Sequence, residues 1–182
     1  MRDIVQVLAN GLPAVIAIMM VRAPALFTPA LAAFSAANAE AAADTWSGAF
    51  GVMSRKDPVS IITFTKVPRG ISGGVTALGF LGGLSASLLV AVLSVGVFGH
   101  GLGIACIIAG SGFLGSVIDS FLGAVLQVQY RAKDGSLTER EEENGEKNER
   151  VRGIPGFDND AVNFTSGLLS ASLAMFLTSL IS

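Results

Sequence analysis

The sequence predicts an all-α fold, a polytopic transmembrane helix bundle of about five spans. Apolar residues make up 51% of the 182 positions and charged residues 14%, with a mean hydropathy of +0.63. That leaves too little polar surface to cover a soluble domain, so lipid must supply the cover. The charge is also gathered in one place: Arg131 to Arg152 holds six of the twelve basic residues and seven of the fourteen acidic ones.

A spanning helix needs about 20 mostly apolar residues, and five windows approach this. Ile4 to Val21 is the weakest, interrupted by Gln6, Asn10 and Pro13. Ala25 to Ala43 follows after Arg22-Ala23-Pro24, where proline turns the chain. Ser72 to Phe98 and Leu102 to Gln127 are stronger, and Ala161 to Ile181 closes the chain. A cleaved signal peptide fits poorly, because the basic region at the start is one Arg and the Ala-rich stretch near Asn38 lies too far in. The chain is expected to be a single transmembrane domain over residues 1–182, with 129–157 a hydrophilic, solvated cytoplasmic loop. A lone cysteine, Cys106, excludes an intramolecular disulfide framework. A net charge of −2 with no basic face gives no footprint for nucleic acid.

Lys and Arg concentrate in cytoplasmic loops. With five spans, Arg2, the group Arg55, Lys56, Lys66 and Arg69, and the six basic residues of the hydrophilic stretch all fall on one face. Only Arg22 lies opposite, and the turn around His100 carries no Lys or Arg. The expected topology is N-terminus cytoplasmic and C-terminus outside. No plastid targeting peptide is visible, which makes a prokaryotic plasma membrane the default, and homologous chains are expected to carry further N-terminal spans.

Several polar residues cluster on the cytoplasmic half. Asp44 ends the second window with Glu40 one turn earlier, and Asp158, Asn159 and Asp160 open the fifth, with Asn163 following. Asp119 lies about eight residues, roughly 12 Å, inside the fourth. A carboxylate at that depth costs on the order of 3 kcal/mol and must face a partner or a wet cavity. Its structural alternative is an acid hydrogen-bonded between helices. Gly112, Gly115, Asp119 and Gly123 recur at helical spacing, as do Gly79, Gly83 and Ser87, and such small faces allow close packing.

Lys66-Val67-Pro68-Arg69-Gly70-Ile71-Ser72-Gly73-Gly74 puts two cations and several small residues where the third window begins. Helix N-terminal N–H groups, glycines that permit close approach, and Lys and Arg together outline an anion site. It is not a Walker loop, which ends in Gly-Lys-Ser/Thr; the alternative is a juxtamembrane turn that sets topology. Carboxylates beside a phosphate cradle are a usual way to hold Mg²⁺. Phosphoryl or nucleotidyl transfer at the cytoplasmic surface is therefore the leading chemistry, a reaction that asks mainly for positioning and charge neutralisation. The only histidine, His100, falls on the opposite face, which removes a Ser-His-Asp set, and one His with one Cys is too few for His/Cys metal ligation.

These residues resemble a family of integral membrane proteins that includes the plant phytyl phosphate kinase of tocopherol synthesis. The resemblance rests on Gln6-Val7-Leu8-Ala9-Asn10-Gly11, Ala43-Asp44-Thr45-Trp46, Lys66-Val67-Pro68 with Ser72-Gly73-Gly74-Val75, Gly112-Phe113-Leu114-Gly115-Ser116 with Asp119-Ser120 and Leu122-Gly123-Ala124, and Asp158-Asn159-Asp160-Ala161-Val162-Asn163. It implies transfer of a phosphoryl group from a nucleoside triphosphate to an isoprenyl monophosphate, and a distant kinship with polyprenol kinases and CDP-diacylglycerol synthases. Two positions depart from the family pattern: Ala49 stands where a Glu is usual, and Ile71 replaces a common Thr.

The resulting expectation has Lys66, Arg69 and the Ser72-Gly73-Gly74 amides holding phosphates, and Asp44, Asp119 and Asp160 holding or orienting Mg²⁺. Asn10, Asn159 and Asn163 complete the polar shell, and the isoprenyl tail lies against the small-residue faces in contact with lipid, with an oligomer left open. Trp46 reads as an interfacial anchor. The rival class is an ion-coupled transporter or a non-catalytic membrane subunit, since intramembrane carboxylates among glycine-rich helices suit those equally.

Overall fold

The computed structural model describes residues 4–143 and 145–182; Arg2, used above for topology, lies outside them. Five long helices dominate: α1 (Ile4–Met19), α2 (Phe27–Val52), α3 (Ala77–Phe98), α4 (Leu102–Val125) and α5 (Asn159–Ser179). Short 3-10 turns, Met20–Arg22 and Pro24–Leu26, join α1 to α2, with Pro24 in the first position of the second turn, where a missing N–H does no harm. Four segments are long and apolar enough to cross a membrane: Ile4–Arg22, Ala77–Phe98, Leu102–Val125 and Asn159–Ser179.

The expected second span takes a different part. α2 is longer than the Ala25 to Ala43 window, reaches Val52, and is not among those four. It is the central helix, packed against α1, α3, α4 and α5 in turn. Ala30, Ala32, Ala33, Ala36, Ala39 and Ala43 on it are wholly inaccessible. A helix covered by other helices need not be apolar enough for lipid, and alanines let four neighbours approach its backbone closely.

The bundle is accordingly small and hydroxylated within and bulky outside. Leu81, Leu88, Leu89, Val92 and Leu93 of α3 point outward, as do Val7, Leu8, Val15 and Met19 of α1. Inside, Ser35 and Ser94 hydroxyls meet at 2.9 Å, Ser87 donates to the Ala109 carbonyl at 2.7 Å, and Ser170 bridges the carbonyls of Ala36 and Ser111 at 3.1 and 3.0 Å. Each such cross-helix bond contributes about 0.6 kcal/mol in a membrane protein. Gly99, at φ +71, ends α3 in the left-handed conformation and returns its N–H to the Val95 carbonyl, which allows the tight turn at His100.

Both charged connections lie at the other end of the bundle. In the first, β1 (Val59–Ser60) pairs antiparallel with β2 (Gly74–Val75). The second, expected as a loop, contains a three-stranded antiparallel sheet of β3 (Gln129–Arg131), β4 (Leu137–Thr138) and β7 (Glu149–Arg152), ordered β4-β3-β7, beside a small hairpin of β5 (Glu142–Glu143) and β6 (Glu146–Lys147). Its two ends are drawn together by Val128 N–H to the Phe157 carbonyl and Ile154 N–H to the Leu126 carbonyl, both 2.9 Å.

Candidate functional site

At this charged end a cavity of about 330 Å³ opens between the C-terminal part of α2, the start of α3, the C-terminal part of α4 and the start of α5. This is within the size range of small-molecule sites. α2 contributes Asp44 and Ser47, α4 contributes Ser116, Asp119 and Ser120, and α5 contributes Asn159. The opposite wall is the backbone from Arg69 to Thr76.

That wall differs from the helix start expected at Ser72. α3 begins at Ala77, capped by Thr76, whose hydroxyl accepts from Gly79 N–H at 2.9 Å. Ser72-Gly73-Gly74 instead form a tight turn: Gly74 N–H donates to the Ile71 carbonyl at 3.0 Å, with Gly73 at φ +81, the position of a type II turn that requires glycine. The pairing of Gly74–Val75 with β1 draws these residues out of the helix. A side chain at Gly73 would collide with Ala124, so the turn lies directly on the end of α4. Four further hydrogen bonds tie it to the second charged connection and the end of α4. The Ser72 hydroxyl donates to Glu139, and Arg152 reaches the Ser72 carbonyl at 3.4 Å while also donating to the Ala124 carbonyl and, at 2.8 Å, to Gln129 Oε1.

Beneath the cavity the acids are linked. Glu40 is 2% exposed and Asp119 9%. The Ser166 hydroxyl of α5 stands 2.8 Å from Glu40 Oε1, 3.1 Å from Asp119 Oδ2 and 3.1 Å from the Asn163 carbonyl. A serine has one proton to donate, so it links the two acids without serving both fully. Asp44 lies close enough to act electrostatically on both. Gly115 makes room for this arrangement, since a Cβ there would lie 2.5 Å from Glu40 Cγ and 2.8 Å from Ser170 Cβ.

Of the residues singled out in the sequence, Asp44, Asp119, Asn159, Arg69, Ser72, Gly73 and Gly74 meet at this cavity. Arg69 is engaged, however: its guanidinium donates to the carbonyls of Val52, Ser54 and Lys56 at 3.2, 2.8 and 3.3 Å, closing the C-terminal end of α2. Lys66 is exposed and paired with Asp57 at 3.4 Å. Asn10, on α1, donates to the Gln6 carbonyl within its own helix. Asn163 is buried a turn below, and Asp160, half-buried in the first turn of α5, is outside the cavity lining. Ala49 is exposed and is not among the residues that line the cavity. Sequence reasoning did not find Ser166 or Gln127, and it noticed Glu40 without placing it against Asp119. The available signal was Glu40's spacing, one turn before Asp44 in a run of alanines.

Among the described residues no three His, Cys, Asp or Glu side chains are gathered to hold a metal ion by themselves. Two cavity carboxylates, Asp44 and Asp119, fit the other common mode, in which Mg²⁺ is held by one or two carboxylates together with substrate phosphates.

The family described as integral membrane protein DUF92 matches residues 1–171. Protein PGR of Arabidopsis thaliana is 37% identical over 153 residues, 76% of this chain and 50% of that protein. An uncharacterized membrane protein of Methanocaldococcus jannaschii is 34% identical over 127 residues, 69% of this chain and 52% of that protein. The chain thus spans about half the length of these curated relatives. No solved structure matches it significantly. With the match running from α1 into α5 and taking in every residue that lines the cavity, the chain belongs to the DUF92 family of integral membrane proteins.

Proposed function

We propose that this chain is a membrane-embedded phosphotransferase that moves the terminal phosphoryl group of a nucleoside triphosphate to an isoprenyl monophosphate. The observation that carries the reading is one cavity walled on one side by Asp44 and Asp119 and on the other by the glycine-rich turn at Ser72-Gly73-Gly74. An acceptor that is already a phosphate brings its own anionic oxygen. The P–O bond to the acceptor forms as the bond to the nucleoside diphosphate breaks, and no side chain need remove a proton. This suits a cavity far from His100. Asp44 and Asp119 would hold Mg²⁺, which supplies charge neutralisation on the phosphates. The chain's remaining work is positioning: Ser166 holds Asp119, the Gly73 turn permits a phosphate to approach the backbone, and Ser116 and Ser120 offer hydroxyls. The charged end is proposed to be cytoplasmic, where nucleotide is supplied.

Purified protein incubated with Mg²⁺, labelled nucleoside triphosphates and phytyl or geranylgeranyl phosphate should yield the labelled isoprenyl diphosphate, with the yield lost in Asp119→Asn. No product from any pairing would sink the reading. The buried Glu40-Ser166-Asp119 chain supports a second one, ion-coupled transport, for which uptake into proteoliposomes abolished by Asp119→Asn would be the sign.

A further inference from the structure

Four buried side-chain atoms among the described residues have no hydrogen-bond partner: His100 Nε2, Ser111 Oγ, Gln127 Nε2 and Thr178 Oγ1. Of these residues only Gln127 lines the cavity. Buried polar groups in folded proteins are nearly always paired, so an unpaired amide on a cavity-lining residue marks a donor that a ligand oxygen can complete when the side chain turns to meet it. Gln127 is 3% exposed and stands just past Leu126, the residue that caps α4. It lines the cavity together with Asp119 and Gly123 of α4. The side chain folds back along the helix: a Cβ at Gly123 would sit 3.2 Å from Gln127 Oε1. Glycine at 123 is what leaves room for the amide, and Gly153, at φ +82, packs against the Gln127 carbonyl so tightly that the backbone is fixed in turn.

An amide NH₂ can only donate. In a cavity also lined by carboxylates, hydroxyls, the Asn159 side chain and an Arg69 whose guanidinium is taken up by the carbonyls of Val52, Ser54 and Lys56, it adds a donor for an acceptor oxygen on the ligand. Resting on the phosphotransferase reading, we infer that Gln127 is a ligand-binding residue whose side-chain N–H groups take a phosphoryl oxygen of the bound substrate.

The test uses purified full chain in detergent with two probes, Mg-ATP and geranylgeranyl monophosphate, whose affinities are measured separately by calorimetry. Gln127→Met keeps the length and removes the donor, and Gln127→Glu replaces it with a negative acceptor. Each should retain the wild-type melting temperature within a few degrees and weaken one or both probes by about tenfold or more, Glu more than Met. The arm that moves identifies whose phosphate Gln127 holds. In the wild type, the Gln127 side-chain amide resonance should shift on adding that probe, a readout that requires no variant to fold. Unchanged affinities in both variants, or an unmoved resonance under saturating probe, would overturn the inference and leave the phosphotransferase reading standing. A wild-type chain that binds neither probe would overturn both.

Discussion

At the scale of single residues, the most consequential side chain is Ser166, which no local pattern marked. Its hydroxyl joins Glu40 and Asp119 from helices 126 and 47 residues away in sequence. Removing it leaves two buried carboxyls without their shared donor, and an unsatisfied buried polar group costs about 1–3 kcal/mol. Ser166→Ala should therefore lower stability by about that amount in a denaturant titration of the detergent-solubilised protein; Ser166→Thr, which restores the hydroxyl, should recover part of it. His100 offers a pH-dependent case. Burial beside Phe98 pulls its pKa below the ordinary value of 6.5, so the folded state favours the neutral ring. As pH falls through about 6.5 the unfolded chain takes up a proton that the folded chain resists, and stability is lost. The melting temperature of the wild type should fall on acidification from pH 7.5 to 5.5, and that of His100→Leu should fall less; equal slopes would refute the assignment.

At the scale of elements, four of the five spans were legible because length and hydropathy alone define a lipid-facing helix. α2 was legible as a helix, but its central place was not, since alanine runs look alike whether they face lipid or protein. The start of α3 was misplaced by five residues, Ser72 against Ala77, because the pairing that draws Gly74 into β2 comes from Val59 and Ser60, a long-range contact. The hydrophilic stretch reads as a solvated loop because its charges are dense. Its fold depends on Arg152, which grips Ala124, Gln129 and Ser72 together. Arg152→Ala should cost about 1.5–3 kcal/mol, the range for hydrogen bonds to charged groups. Limited proteolysis should then cut within residues 132–148 several-fold faster, whereas Lys133→Ala, at an exposed ion pair, should leave the rate near that of the wild type.

At the scale of the whole molecule, the gathering of polar residues on one half of the bundle was readable from the sequence, and Asp44, Asp119, Asn159 and the Ser72 turn line one cavity there. Asn10 and Lys66 were not separable from that group by sequence, because a linear pattern shows which end of a helix a residue occupies and not which face. The charge bias predicts membrane sidedness. With Cys106 replaced by Ala, single cysteines at Asp57 and Asp134 should react with an impermeant maleimide only from the cytoplasmic side of vesicles, and one at Gly101 only from the other side. Labelling of 57 and 134 from opposite sides would contradict the bundle itself.

The central position of α2 has a consequence for biosynthesis. Of the four helices that pack against it, α1 is translated before α2, and α3, α4 and α5 after it. α2 carries Glu40 and Asp44 and relies on α3, α4 and α5 for the rest of its surroundings. Until Ser166 is synthesised, Glu40 lacks its partner hydroxyl. The surroundings of Glu40 are therefore complete only once α5 has been made, well over a hundred residues after α2 itself.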